Sequence, residues 1–412
     1  MNVLWFECTT PGRYKCGEVL GGWQDSLEAI VRTAHDVNLT VAFEVYQPSE
    51  EKIVDGVRYI PIHISYTKKE KKLSEATWDI SAQKMLHAIE NIVHDVNPDI
   101  IHVFGTEWSF GLIAEKTQIP VVIHIQGSIV TYNNAMFPPR YCVFDVIRNE
   151  GLRHPVLMYK AWNKYQYELS REYVERRVWK AVSNYMGRTR WDEAMSAVMH
   201  PGRKYFHVDE ALRPSFLGSD NVWKYPPDGK IRLLSTGIIS FRKGIDMMLK
   251  TAEILKSLCF DFEWHVAGVI SVDQKQIIQR KEGRSFDNCN IIIHGFLASD
   301  EVNKLLSETT IYIHTAYAEN SPNSICEAQS LGIPVISTNV GGISTLVGDG
   351  IDGVLVPAND PWSMAYEIMQ LASDTERMKA YSLKARQKAL KRHNPDVILQ
   401  QLLHCYKTLI DG

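Results

Sequence analysis

Several things are missing from this chain, and each absence removes a class of function. No apolar run approaches the roughly 18 residues that a bilayer-spanning helix needs, so no such helix is expected. The seven cysteines (Cys8, Cys16, Cys142, Cys259, Cys289, Cys326 and Cys405) are odd in number, scattered, and never spaced Cys-x-x-Cys. That pattern excludes a zinc ribbon and a disulfide framework and reads as reduced thiols of a cytosolic protein. There is no Walker A loop, no His-Glu-x-x-His and no Ser/His/Asp set. Charge of one sign is also lacking: 45 basic and 48 acidic residues give a net charge of -3. A whole-chain electrostatic footprint for nucleic acid is therefore absent. Asp-x-Asp occurs nowhere, which argues against gripping a diphosphate through a metal. The start, Met1-Asn-Val-Leu-Trp-Phe-Glu7, has no basic region and no small-residue cleavage site, so it reads as a first strand rather than a signal peptide. The sequon Asn38-Leu39-Thr40 reads as chance.

What is present is the composition of a soluble globular protein, 45% hydrophobic and 23% charged over 412 residues. At about 100–200 residues per domain, that length implies two domains. Strand and helix patterns alternate in both halves, the signature of parallel α/β sheets. In the first half, strands are expected at Val3–Glu7, Thr40–Tyr46, Asp99–Gly105 and Pro120–Gln126, with helices near Trp23–Val37 and Ile80–Val96. In the second half, strands are expected at Ile231–Thr236, Phe262–Gly268, Asn290–Gly295, Thr310–Thr315, Pro334–Thr338 and Gly353–Val356. Ile245, Met248, Leu249, Ala252, Leu255 and Leu258 recur at helical spacing. Ser299 is a candidate cap with Asp300 and Glu301 in the first turn, and Asp360-Pro361 is an N-cap followed by Pro at the first helical position. Leu217–Lys230, rich in Pro and Gly, reads as a linker. From Arg140 to Arg190 the chain is helical and aromatic, with eleven Lys/Arg against five Asp/Glu. Such a face suits an anionic membrane or a lipid-linked acceptor; the plainer reading is a solvated face with snorkelling cations.

The most informative segment is Glu319-Asn320-Ser321-Pro322-Asn323-Ser324-Ile325-Cys326-Glu327. An apolar strand leads in and a helix beginning near Ser324 leads out. A helix start offers N–H groups and positive dipole to a phosphate. Glu319 stays on the loop while Glu327 rides one turn into the helix, a spacing that suits the two ends of a nucleotide-sugar; an ordinary turn with solvated acids is the competing account. Ser240-Phe-Arg242-Lys243-Gly244 follows the first strand of the second half, which puts Lys243 at the sheet edge where ligands of open α/β sheets gather. An ammonium there neutralises charge on a departing diphosphate; the alternative is a charged turn before a helix. Gly21-Gly22 is the matching feature of the first half, where backbone approaches a ligand closely. Gly348-Asp-Gly350-Ile-Asp-Gly353 matches GxGxxG by letter but leads into a strand, so it fails the dinucleotide-binding context. His102, His124, His265, His294 and His314 all fall on strands and read as structural.

Taken together, Arg242-Lys243-Gly244, His265-Val-Ala-Gly268, Ile293-His-Gly295-Phe296, Glu319 through Glu327, Gly332-Ile-Pro334-Val335 and Asn339-Val-Gly-Gly342 resemble the retaining glycosyltransferases of family 4. The likeness covers about Ile231–Pro357; the first half is similar more loosely, through Gly21-Gly22, Pro98-Asp-Ile-Ile-His102-Val and Pro120-Val-Val. It implies a GT-B fold: two Rossmann-like parallel-sheet domains facing a central cleft, residues 1–216 for the acceptor and 217–393 for the donor. The final segment, 394–412, with an apolar stripe from Val397 to Ile410, would cross back onto the first domain. The implied roles follow by position. Lys243 binds the donor diphosphate with Arg242 beside it, and Glu319 contacts the transferred sugar. Asn323 and Ser324 present backbone amides, Glu327 holds the ribose, and Gly295 and Phe296 border the base. Gly22 approaches the ligand from the first domain. Transfer would retain configuration with no cofactor and no metal at the donor, the leaving phosphate helping to deprotonate the acceptor.

Two departures from the family pattern stand out. Gly237-Ile238-Ile239 replaces the common Gly-Arg-Leu, leaving Arg242 to supply the second cation. Gln126, in Ile125-Gln126-Gly127, replaces a His expected to face the reacting sugar; Gln hydrogen-bonds but is no general base. The expected partners are a nucleotide-diphosphate sugar and a saccharide, lipid-linked or small-molecule acceptor. The expected place is the cytoplasm, with peripheral contact at the inner face of the membrane. The rival readings are a catalytically silent sugar-nucleotide-binding or scaffold protein of the same fold, and a nucleotide-sugar epimerase.

Overall fold

The computed structural model describes residues 1–16, 22–150, 155–218, 222–226, 228–238, 240–297 and 299–412. The chain forms two compact units. The first comprises Met1–Asn133, Asn163–Arg213 and His393–Gly412, and the second Asn134–Trp162 and Pro214–Arg392.

In the first unit, alternation along each strand gives the sheet two buried faces. Eight strands are ordered β3-β4-β2-β1-β5-β6-β7-β8. Their ranges are β1 Asn2–Glu7, β2 Asn38–Val45, β3 Lys52–Val54, β4 Val57–His63, β5 Ile100–Phe104, β6 Val121–His124, β7 Asn184–Gly187 and β8 Lys204–His207. Val3 and Trp5 of β1 face one core with Val41, Phe43 and Tyr59; Leu4 and Phe6 face the other with Ala42, Ile89 and Val178. All pairings are parallel except β3 with β4. Asp55 and Gly56 close that hairpin with φ of 48° and 86°, the left-handed pair that a two-residue turn needs.

The helix Pro395–Ile410 completes the first core with Ile398, Leu402, Cys405, Tyr406 and Leu409. It belongs to the first unit, and its buried side differs at the ends from the apolar stripe read in the sequence. Val397 and Ile410 are exposed, while Ile398 and Cys405 are buried. Asn394 caps this helix through Asp396 and Val397 N–H, and the resulting start angle sets which side faces inward. Tyr406 fixes it: its hydroxyl accepts from Trp5 Nε1 at 2.9 Å and lies 2.6 Å from His102 Nδ1.

The second unit carries the strands β9 Arg232–Thr236, β10 Glu263–Ala267, β11 Ile291–Gly295, β12 Ile311–His314, β13 Val335–Thr338 and β14 Val354–Val356. Their order is β11-β10-β9-β12-β13-β14, all parallel. The chain runs outward in one direction from β9 to β11, then restarts beside β9 at β12. The crevice beyond the carboxyl ends of β9 and β12 is therefore the topological switch point of this sheet. The helix Ile245–Ser257 buries Ile245, Met248, Leu249, Ala252 and Leu255, while Leu258, outside the helix as its C-cap, is exposed. Within the expected linker, of which residues 219–221 and 227 lie outside the described residues, Trp223 is buried and donates to Leu331 O from its backbone and to Thr309 O from its indole. Asp360 caps its helix through Ser363 N–H; the side chains of Ser299 and Asp300 lie outside the described residues.

One boundary differs from the expected 1–216. Residues Asn134–Trp162 belong with the second unit, because the helix Val143–Glu150 packs on the helix Val272–Glu282. Lys281 Nζ holds Asp145 with two contacts of 2.9 Å. Composition is basic and aromatic on both sides of that change, so nothing in it marks the switch.

Candidate active site

The carboxyl end of β9 runs into Ser240-Phe241-Arg242-Lys243-Gly244, and the carboxyl end of β12 runs into Thr315–Glu319. Backbone bonds lock the two loops together: Thr315 Oγ1 donates to Lys243 O at 2.8 Å, and Tyr317 N–H donates to Arg242 O at 2.8 Å. The approach is possible only because residue 244 is glycine. Its φ is +73°, and a Cβ there would stand 1.8 Å from Thr315 O. Gly341, at φ +53°, does the same from the Asn339–Gly342 loop, where a Cβ would stand 1.7 Å from Glu319 O.

Within this frame the expected charged residues meet. Lys243 Nζ donates to Glu319 Oε1 at 2.6 Å and to Oε2 at 3.1 Å. Arg242 lies 3.8 Å from Glu319 Oε2 and donates to Ala318 O at 3.2 Å. Burial would raise the pKa of Glu319, but Lys243 and then Arg242 outweigh it and hold the carboxylate below its ordinary value. His314, behind them, is pushed down to about 3 by burial and by Lys243, so it is neutral and structural.

The helix Asn323–Ser330 starts at the far side of the same loop, with Pro322 at its N-cap. Its first intrahelical bonds run from Ile325 and Cys326 N–H to Pro322 O, which leaves Asn323 and Ser324 as the leading amides. Tyr312, a buried strand residue that the sequence reading passed over, ties this turn to β9. Its hydroxyl accepts from Thr236 N–H at 3.2 Å, lies 2.9 Å from Thr236 Oγ1, and hydrogen-bonds the Ser324 side chain. Glu327 lies within electrostatic reach of the same hydroxyl, one turn into the helix. Gly295 and Phe296 end β11, two strands from β9; Phe296 is 82% exposed and Gly295 takes φ +74°. Gly237 and Ile238 follow β9, while Ile239 lies outside the described residues.

On the first unit, Gly22 precedes the helix Trp23–Val31 as its N-cap, and Gly21 lies outside the described residues. Gln126 follows β6, its carbonyl accepting from Arg188 at 3.0 Å. Two carboxylates missed in the sequence surround this loop. Glu175 is fully buried and accepts four bonds, from Thr106 and Ser128 hydroxyls and from Ile129 and Val130 N–H, at 2.7–3.0 Å. Burial raises its pKa while those four donors oppose the rise. Glu107, beyond the end of β5, is raised to about 7 by burial and by Glu175, and among the described residues its Oε2 has no hydrogen-bond partner. Neither residue had a spacing signal; each acquires meaning only once β5, β6 and the helix Pro155–Ala181 are adjacent.

Residues 230–374 match the family described as Glycosyl transferases group 1. That match falls wholly within the second unit. This matched stretch contains Lys243, Arg242, Glu319 and Glu327. Among curated proteins the chain is similar to the putative colanic acid biosynthesis glycosyltransferase WcaL of Salmonella typhimurium. The likeness is 25% identity over 190 residues, 44% of this chain and 46% of that protein. The chain thus spans less than half the length of that relative. Among solved structures it is similar over its whole length to sucrose-phosphate synthase from Thermosynechococcus elongatus, with a TM-score of 0.71 and 15% identity, covering 100% of this chain and 99% of that one. Anabaena HepE, solved in complex with UDP-glucose, gives a TM-score of 0.65 at 14% identity, covering 99% and 100%. The fold is GT-B, with two parallel-sheet domains. No helix among the described residues is long and apolar enough to cross a membrane.

Proposed function

We propose that the chain is a retaining glycosyltransferase that moves a sugar from a nucleotide-sugar to a saccharide or lipid-linked acceptor. The observation that carries this reading is the Lys243–Glu319 pair at the switch point of the second sheet, beside the start of the helix Asn323–Ser330. A donor diphosphate entering there gains the Lys243 ammonium, Arg242 and the leading amides of that helix. Lys243 then bridges phosphate and Glu319, and a Glu319 oxygen turns to the hydroxyls of the sugar. Glu327 takes the ribose hydroxyls, and Gly295 and Phe296 border the base. As the bond from the sugar to the diphosphate breaks, negative charge on the leaving oxygen grows, so Lys243 stabilises the transition state more than the bound donor. The leaving phosphate accepts the proton of the acceptor hydroxyl on the same face of the sugar. This assigns no catalytic base to Gln126, whose amide can only hydrogen-bond, and no metal to the donor. Gly22 lets backbone approach a ligand closely.

UDP-sugars head the panel of donors to be tried, because HepE was solved with UDP-glucose. The test is calorimetry and donor hydrolysis with UDP-, GDP- and ADP-sugars in the presence of EDTA. Binding and slow hydrolysis that survive chelation are expected; loss of both in EDTA would overturn the metal-free assignment.

For a lipid-linked acceptor we assign a peripheral membrane contact to the helix Pro155–Ala181. Leu169, Tyr173, Arg176 and Lys180 lie along one exposed stripe of it, two apolar residues followed by two basic ones. Flotation with vesicles of phosphatidylcholine, with and without phosphatidylglycerol, is expected to recover the protein only with the anionic lipid. Equal recovery with both, or with neither, would remove the contact.

A further inference from the structure

The segment Asn134–Asn149 leaves the first sheet after β6 and rejoins it before β7 in sequence, yet it belongs to the second unit. It lies against the loop that presents Arg242 and Lys243. Phe137 and Tyr141 both contact the ring of Phe241, with centroids 6.2 and 5.9 Å away. Phe241 is itself buried, so the residue directly before Arg242 is clamped from this side.

A second connection runs through polar groups. The Tyr141 hydroxyl donates to Glu282 Oε1 at 2.6 Å, and the same oxygen lies 3.3 Å from Lys250 Nζ. Lys250 in turn holds the fully buried Asp246 at 3.0 Å, and Asp246 accepts from the Tyr317 hydroxyl at 2.9 Å. Tyr317 closes the circuit, since its N–H donates to Arg242 O and it stands two residues from Glu319. A lysine shared between two carboxylates, with a tyrosine donating at each end, makes a charged network with little solvent around it, where each member depends on the others. Lys281 and Asp145 tie the segment down at its far side.

We propose that Asn134–Asn149 is a strap that positions the diphosphate-binding cations Arg242 and Lys243, with Tyr141 as its positioning residue. The strap acts on the loop in two ways: ring packing fixes Phe241, and the Glu282–Lys250–Asp246–Tyr317 chain fixes the Arg242 carbonyl. It takes a nucleoside diphosphate as the ligand whose grip it tunes, and it rests on the donor-site reading above.

The test compares a diphosphate with its monophosphate, because only the former uses the full phosphate grip. Binding of UDP and UMP is measured by calorimetry on the full chain, with GDP/GMP and ADP/AMP as further pairs should UDP not bind. Tyr141→Ala is expected to weaken the diphosphate by roughly tenfold while leaving the monophosphate unchanged. A merely structural loss would weaken both alike, and that result, or no loss at all, overturns the strap. Lys243→Ala is the control. If no diphosphate binds the wild-type chain, or if Lys243→Ala shows no selective loss, the donor-site reading falls instead. If Lys243→Ala is selective and Tyr141→Ala is not, the strap alone falls. Should Tyr141→Ala fail to fold, Asp145→Ala makes the same comparison by releasing the far end from Lys281.

Discussion

Lys243 and Glu319 neutralise one another, with both carboxylate oxygens of Glu319 within 3.1 Å of one ammonium. Residues assigned to opposite parts of the donor are thus a pair in the fold itself. Removing one partner of such an enclosed pair leaves an uncompensated charge and costs about 3–5 kcal/mol, whereas removing both costs far less. Urea unfolding of Lys243→Met, Glu319→Gln and the double variant should show strong non-additivity. Additive losses would mean that the two side chains stand independently.

Glu327→Ala should weaken nucleotide binding by roughly 1.5–3 kcal/mol, the value of hydrogen bonds to a charged acceptor. Calorimetry with the nucleoside diphosphate checks it, and an unchanged affinity removes Glu327 from the ribose.

Lys243→Ala, by contrast, should lower kcat and kcat/KM together, because its interaction strengthens as the diphosphate departs. A pure KM effect in initial-rate measurements would contradict that role.

A pH dependence follows from Glu107, whose folded-state pKa is raised from the usual carboxylate value to about 7 by burial and by Glu175. A raised acid stabilises the fold fully below its unfolded pKa, and that stability disappears as pH climbs through 7. Glu175, Arg171 and Arg188 are the charged groups that act on it, and it acts in turn on Cys8. Glu107 is enclosed at Oε2 but half-buried as a residue, so the contribution is about 1–3 kcal/mol. Glu107→Gln should therefore raise the melting temperature at pH 8 and change it little at pH 4.5. Parallel pH profiles for the two proteins would show that Glu107 titrates normally.

Tyr406→Phe should cost about 1–3 kcal/mol, because the Trp5 indole N–H and His102 Nδ1 both lose their partner inside the core. Denaturant unfolding measures it; a neutral result would mean that another group takes up the indole N–H.

Much of the second unit could be read from the chain because local signals and topology agree there. All six of its strands were expected within a few residues, since parallel strands of such a sheet are short, mostly apolar runs bounded by Gly, Pro and Asn. Lys243 and Glu319 were identified separately, yet their pairing was not, because 76 residues separate them and only the β9–β12 adjacency joins them. The first unit was less legible. The β3–β4 hairpin carries its signal in Asp55-Gly56, which the reading passed over. The strands β7 and β8 have four residues each, and β8 is only partly buried, so their hydrophobic alternation is too brief to register. Tyr312, Tyr141, Glu107 and Glu175 look like ordinary interior or surface residues in one dimension. Their roles arise from what the fold brings against them.

The order in which the chain is made acquires a meaning from the helix Pro395–Ile410. Every residue of the second unit has been synthesised before Ile398, Leu402 and Tyr406 are added. The first unit, though begun earlier, must wait with Trp5 and His102 uncovered until those side chains arrive. Chains truncated after residue 392 and released from the ribosome should therefore resist protease in the second unit and be cut in the first, a vulnerable interval that a chaperone would shield.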